Sequence, residues 1–135
     1  MLKNAQTFLI LSHENPDGDA IGSSLAMALV LKNMGKDVEL LVKEYPANFS
    51  FLPGIDMIKV EPTKNEYDVG IAVDCPDTKR FNNEYVDVYE TAKIKIQFDH
   101  HNKNTMFADY NFVNPAAPAC AQILITVFEH LGIEI

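Results

Sequence analysis

The chain has 135 residues, the size of one domain, with 47% hydrophobic residues and a formal net charge of -8. That balance can build a core, and it excludes a surface that grips nucleic acid by positive charge alone. No segment reaches the ~20 apolar residues of a membrane span, the N-terminus lacks a signal-peptide pattern, and Cys75 and Cys120 form no CxxC pair, so a reduced, cytoplasmic protein is expected.

Residues 7–11 form a short apolar run without alternation, as expected of a strand buried on both faces. Residues 20–34 read as a helix, with Ile21, Leu25, Ala28, Leu29 and Lys32 at helical spacing and Gly35 as its stop. "DVELLV", 37–42, is a second strand. "KEYPANFSFLPG" is a Pro- and aromatic-containing connection with room for one helical turn. "YDVGIAVD", 67–74, is a third strand and "KIKIQF", 93–98, a fourth. Residues 117–131 read as a last helix with Ile123, Leu124, Val127, Phe128 and Leu131 on its apolar side. Apolar strands alternating with crossover-length segments predict an α/β fold, a doubly wound parallel sheet with helices on both faces. Phe8, Met27, Leu31 and Phe98 belong to its core, and both cysteines read as packing residues.

Ligands of such sheets bind at the carboxyl ends of the strands, where strand order reverses. Three clusters of acids and histidines fall at those ends. His13, Asp17 and Asp19 follow the first strand in "SHENPDGDAIGSSLA". Asp74 closes the third strand, with Asp77 and Arg80 just beyond. Asp99, His100 and His101 follow the fourth. Three of the chain's four histidines lie in these clusters. Crowded carboxylates beside a core are costly unless something positive neutralises them. Carboxylates and imidazoles without thiolates suit Mn²⁺, Mg²⁺, Fe²⁺ or Zn²⁺. Asp17 and Asp19, one residue apart in a turn, can point to neighbouring ions, and Asp74 could bridge both. A pair of ions ~3.5–4 Å apart activates a water and clamps a phosphoryl group.

Blander readings exist for the same residues. Asp17 or Asp19 could cap the helix. Asn15, Asp17 and Asp19 imitate the start of an EF-hand, but Ala20 and Ala26 stand where that loop needs Gly and Glu. Asp77 and Arg80 could be a solvated loop pair, and Glu14 and Glu44 read as solvated. The chain has neither a GxxxxGK phosphate loop nor a GxGxxG after the first strand.

"HENPDGDAIGSSLA", "VDCPDTKRF" and "FDHH" resemble, in order and spacing, the first three motifs of the DHH phosphoesterases. The resemblance covers nearly the whole chain, and the long first motif carries most of its specificity. The Gly between the two aspartates and the "AIGS" after them look most like the branch of oligoribonucleases and 3'-phosphoadenosine-5'-phosphate phosphatases. Family II inorganic pyrophosphatases are similar but usually differ at that Gly.

The resemblance implies a five-stranded parallel sheet and a smaller C-terminal substrate domain beyond a linker. It implies Mn²⁺ as the preferred metal, two ions per complete site, with Mg²⁺ as the substitute. His13, Asp17 and Asp74 would hold one ion, and Asp19, Asp74 and His100 the other. His101 would contact the scissile phosphate, and Asp99 would orient a histidine from behind. Asp77 and Arg80 would touch substrate.

Two departures accompany the match. The family's fourth motif, an Asp after a further strand, does not occur before Ile135, and the segment ahead of the last helix reads "AAPACAQIL", with Cys120 and Gln122. Residues 1–135 are therefore expected to be the N-terminal DHH domain, truncated before its last strand. The expected function is two-metal hydrolysis of short RNA or DNA oligonucleotides, or of 3'-phosphoadenosine-5'-phosphate, to mononucleotides. Alternatives are an inorganic pyrophosphatase, a cyclic-dinucleotide phosphodiesterase, or a metal-binding or partner-binding domain without turnover. The oligomeric state is open, a homodimer being one option.

Overall fold

Residues 5–12, 18–42, 58–64, 66–75, 83–99, 104 and 107–113 are described in the computed structural model of the chain. They form strands β1 (Thr7–Leu11), β2 (Asp37–Leu41), β3 (Ile58–Lys59), β4 (Val69–Val73), β5 (Ile94–Asp99) and β6 (Tyr110–Val113), with helices α1 (Gly18–Asn33) and α2 (Asn83–Glu90). All pairings are parallel, in the order β3-β2-β1-β4-β5-β6. The chain winds outward from β1 through β2 to β3, then returns beside β1 and winds the other way through β4, β5 and β6. The reversal point lies between β1 and β4.

Parallel sheets need cover on both faces, and the side chains divide accordingly. Phe8 and Ile10 of β1, Val69, Ile71 and Val73 of β4, and Ile96 and Phe98 of β5 pack with Ile21, Leu25, Ala28 and Leu31 of α1. Leu9, Leu11, Leu41 and Ala72 face the other way and pack with Tyr85, Val88 and Tyr89 of α2. Phe8, Met27, Leu31 and Phe98 are buried, as the sequence suggested, and so is Cys75. The expected doubly wound α/β arrangement is thus present.

The sheet has six strands among the described residues where five were expected. Four of them are the strands read directly from the sequence; the other two are β3, only two residues long, and β6, an edge strand whose Tyr110 and Phe112 are exposed. Short edge strands bury little and leave no run of buried apolar residues to read. The strands read at 37–42, 67–74 and 93–98 match β2, β4 and β5 to within two residues, and the helix read at 20–34 is α1. The connection at 43–54, the last helix at 117–131 and Cys120 lie outside the described residues.

Gly35 ends α1 as expected. Its φ is 81°, its N–H donates to Lys32 O at 3.0 Å, and the Lys36 N–H donates to Leu31 O at 3.1 Å. This is the left-handed stop that a glycine adopts without steric cost. Gly70 has a different role. A Cβ there would lie 3.0 Å from Ala92 Cβ and 3.1 Å from the Tyr89 ring, so its absence lets α2 and its following turn sit close on β4.

One carboxylate is buried far from any strand end. Glu39, in the middle of β2, is 2% exposed. It accepts hydrogen bonds from the Thr63 hydroxyl and the Tyr67 hydroxyl, from the Thr63 N–H at 3.0 Å and from Lys64 Nζ at 3.5 Å. Burial alone pushes its acidity toward the neutral form, but the Thr63 and Tyr67 donors and the Lys64 charge outweigh that and pull its pKa from 4.5 to about 2. The carboxylate thereby ties the segment after β3 to the sheet.

A folded-state pKa below the unfolded one stabilises the fold above pH 4.5, and that share is lost as pH falls toward 2. At about 1.4 kcal/mol per unit, the share is on the order of 3 kcal/mol. Urea unfolding should find Glu39→Gln less stable than the parent by about that much at pH 7, with the gap narrowing below pH 4.5. A gap constant from pH 7 to pH 3 would mean that the Glu39 charge contributes nothing.

Candidate metal centre at the strand ends

β1, β4 and β5 are neighbours, with Leu11 opposite Ala72 and Val73 opposite Phe98. This register brings their carboxyl ends to one edge of the sheet, beside the reversal point. Two acids of the predicted site are described there. Asp74 follows the last residue of β4, and Asp99 is the last residue of β5. They are 2% and 0% exposed. Sequence reading assigned both to strand ends, and the sheet brings those two ends side by side.

Asp74 has a left-handed backbone, with φ 57°, the only positive φ among the described non-glycine residues. Its N–H donates to Phe98 O at 2.8 Å, which ties the end of β4 to β5. A side chain in this region meets the following carbonyl, at a cost of roughly 1–2 kcal/mol. Such strain persists only where surrounding structure holds it, and it concentrates at functional sites.

Asp99 sits in a network of amides. Asn104 Nδ2 donates to Asp99 Oδ2 at 2.7 Å and to Gln97 Oε1 at 2.9 Å. Gln97 Nε2 donates back to Asn104 Oδ1 at 2.9 Å and also to Asn111 Oδ1. Asn111 closes a turn with Ala108, accepting from its N–H at 3.1 Å and donating to its carbonyl at 2.9 Å. The sequence reading did not single out Gln97, Asn104 or Asn111. Gln97 was the one visible signal, an uncharged polar residue between Ile96 and Phe98 in an otherwise buried half-strand.

Of the other predicted site residues, Asp19 lies in the first turn of α1 by its backbone. His13, Asp17, Asp77, Arg80, His100 and His101 lie outside the described residues. Among the described residues, no group of three or more His, Cys, Asp or Glu side chains converges as a metal cage.

Residues 7–134 match the DHH family, N-terminal domain. The chain belongs to the DHH family. It is 32% identical over 129 residues to the bifunctional oligoribonuclease and PAP phosphatase NrnA of Thermus thermophilus, covering 93% of this chain and 37% of that protein. It is 31% identical over 140 residues to a probable manganese-dependent inorganic pyrophosphatase of Exiguobacterium, covering 96% of this chain and 43% of that protein. Among solved structures, an exopolyphosphatase-related protein from Bacteroides fragilis superposes with a TM-score of 0.89 at 27% identity, covering 97% of this chain and 41% of that one. This DHH chain therefore spans less than half the length of each of these relatives.

The left-handed backbone of Asp74 gives a direct test. Asp74→Gly and Asp74→Ala both remove the carboxylate, but only glycine relieves the strain. In metal-free protein, Asp74→Gly should be the more stable of the two by about 1 kcal/mol in denaturant unfolding. Equal stability, or a more stable alanine variant, would show that the strand end is not held left-handed in solution.

Proposed function

We propose that this DHH domain is the catalytic domain of a two-metal phosphoesterase that hydrolyses short oligonucleotides or 3'-phosphoadenosine-5'-phosphate to mononucleotides. The observation that carries the reading is the pair of buried carboxylates, Asp74 and Asp99, at neighbouring strand ends beside the reversal point. Two buried carboxylates there fit a site that receives cations, because ligands of parallel sheets bind at the carboxyl ends of the strands where strand order reverses and carboxylate oxygens are ligands for Mn²⁺ and Mg²⁺. The NrnA relative supports the nucleotide substrates. The relatives named as manganese-dependent support Mn²⁺; Mg²⁺, another cation suited to carboxylate ligands, would be its substitute.

In this reading His13, Asp17 and Asp74 would hold one ion, and Asp19, Asp74 and His100 the other. Asp74 would be the shared ligand, with its left-handed backbone fixing where its carboxylate leaves the sheet. When bound, the ions supply an activated water and draw charge from the phosphoryl group. His101 would donate a hydrogen bond to a phosphoryl oxygen and offset the charge that develops there. Asp99 holds a histidine in position from behind. Asp77 and Arg80 would contribute to substrate binding. Among the described residues no helix is long and apolar enough to cross a membrane.

A second reading, hydrolysis of pyrophosphate, is favoured by the pyrophosphatase relative. Mn²⁺-dependent hydrolysis of a dinucleotide, 3'-phosphoadenosine-5'-phosphate, pyrophosphate and a cyclic dinucleotide, measured on the longest native form of the protein, separates the two. Turnover of the first two substrates supports the proposal; turnover of pyrophosphate alone replaces it with the second reading.

The histidine pair is tested in the same assay. His100→Ala should weaken both Mn²⁺ binding and activity. His101→Ala should keep Mn²⁺ binding and lose turnover by ~10²–10³-fold, the usual cost of removing a donor to transition-state charge. Full activity in both variants would overturn the site assignment.

A further inference from the structure

We propose that Asn104 is a positioning residue for the metal centre: its amide holds the Asp99 carboxylate and ties together the two ends of the 99–104 segment, which contains His100 and His101. This rests on the reading of those histidines given above. The geometry itself is independent of it. Asn104 Nδ2 lies 2.7 Å from Asp99 Oδ2, and the amide is engaged on its other side by a reciprocal pair of 2.9 Å hydrogen bonds with Gln97.

The orientation of the Asn104 amide is set by chemistry. Asp99 Oδ2, a carboxylate oxygen, requires a donor. Gln97 presents both an acceptor and a donor to Asn104. Only an amide, with two N–H groups and one oxygen, answers all three demands. Flipped, it would place its oxygen against the carboxylate. Gln97 is itself fixed, being fully buried and donating to Asn111, whose own amide is pinned across the Ala108 turn. The chain of bonds runs from the start of β6, across β5, to the end of β5. A rigid strand pair thus sets the direction of a carboxylate one residue before the histidines. Groups that orient metal ligands from behind typically matter by ~10–100-fold in metal affinity.

Asn104→Asp is the sharp variant, because it keeps the shape and replaces the donor to Asp99 with an acceptor. Calorimetric titration of Mn²⁺ into the metal-free chain should show ~10–100-fold weaker binding than the parent. Asp99→Asn should also weaken binding. The double variant should bind no more weakly than Asp99→Asn alone, because an amide at 99 can donate to a carboxylate at 104 and the two residues act as one unit. Asn104→Ser, which removes the amide without adding charge, should weaken binding too, and it supplies the measurement if Asn104→Asp does not fold. Parent-like binding by the folded Asn104 variants, or losses that add in the double variant, would overturn the role of Asn104 alone. A parent chain that binds no Mn²⁺ would overturn both this role and the metal reading beneath it.

Discussion

The parallel pairing of β1, β4 and β5 is the constraint on which the rest of the molecule depends. Because the three strands run the same way in adjacent positions, their carboxyl ends share one edge. Because the chain leaves β1 toward β2 and β4 toward β5, its connections diverge at that edge, the arrangement in which a crevice forms. α1 covers one face of the sheet and α2 the other, so the strands are apolar on both sides. Polar groups can then be buried only where specific partners receive them.

The molecule handles its buried carboxylates in two ways. Glu39 is surrounded by donors of the protein itself, two hydroxyls, an N–H and an ammonium. Its charge is satisfied within the fold, and it serves to fasten a connection. Asp74 and Asp99 instead stand at the strand ends, one on a strained backbone and the other braced by an amide network. The strained backbone costs stability, while the amide network fixes one direction for a buried carboxylate. They are what a site needs if its groups must hold a direction before a ligand arrives.

Membership of the DHH family narrows the chemistry more than the substrate. The relatives carry different names, an oligoribonuclease and PAP phosphatase, a pyrophosphatase and an exopolyphosphatase-related protein, on one architecture. A fold shared by several activities does not choose among them, since choice lies in the groups around the reacting centre.

The sequence by itself determined the strands buried on both faces, the long helix and its glycine stop, and the assignment of Asp74 and Asp99 to strand ends, because burial and turn chemistry leave local patterns. β1 is a run of apolar residues, and Gly35 is where a left-handed turn is cheapest. α2 was not legible. Its eight residues, "NEYVDVYE", carry two valines and two tyrosines, types that favour strands, and only packing against β4 makes them helical. β3 and β6 are too short or too exposed to leave a pattern. The tertiary structure alone decided that β4 lies between β1 and β5, that Asp74 is left-handed, and that Asn104 reaches Asp99. Strand order, backbone strain and a bond between an amide and a carboxylate depend on what lies alongside in space, and neighbours in space are not written in the local run of residues.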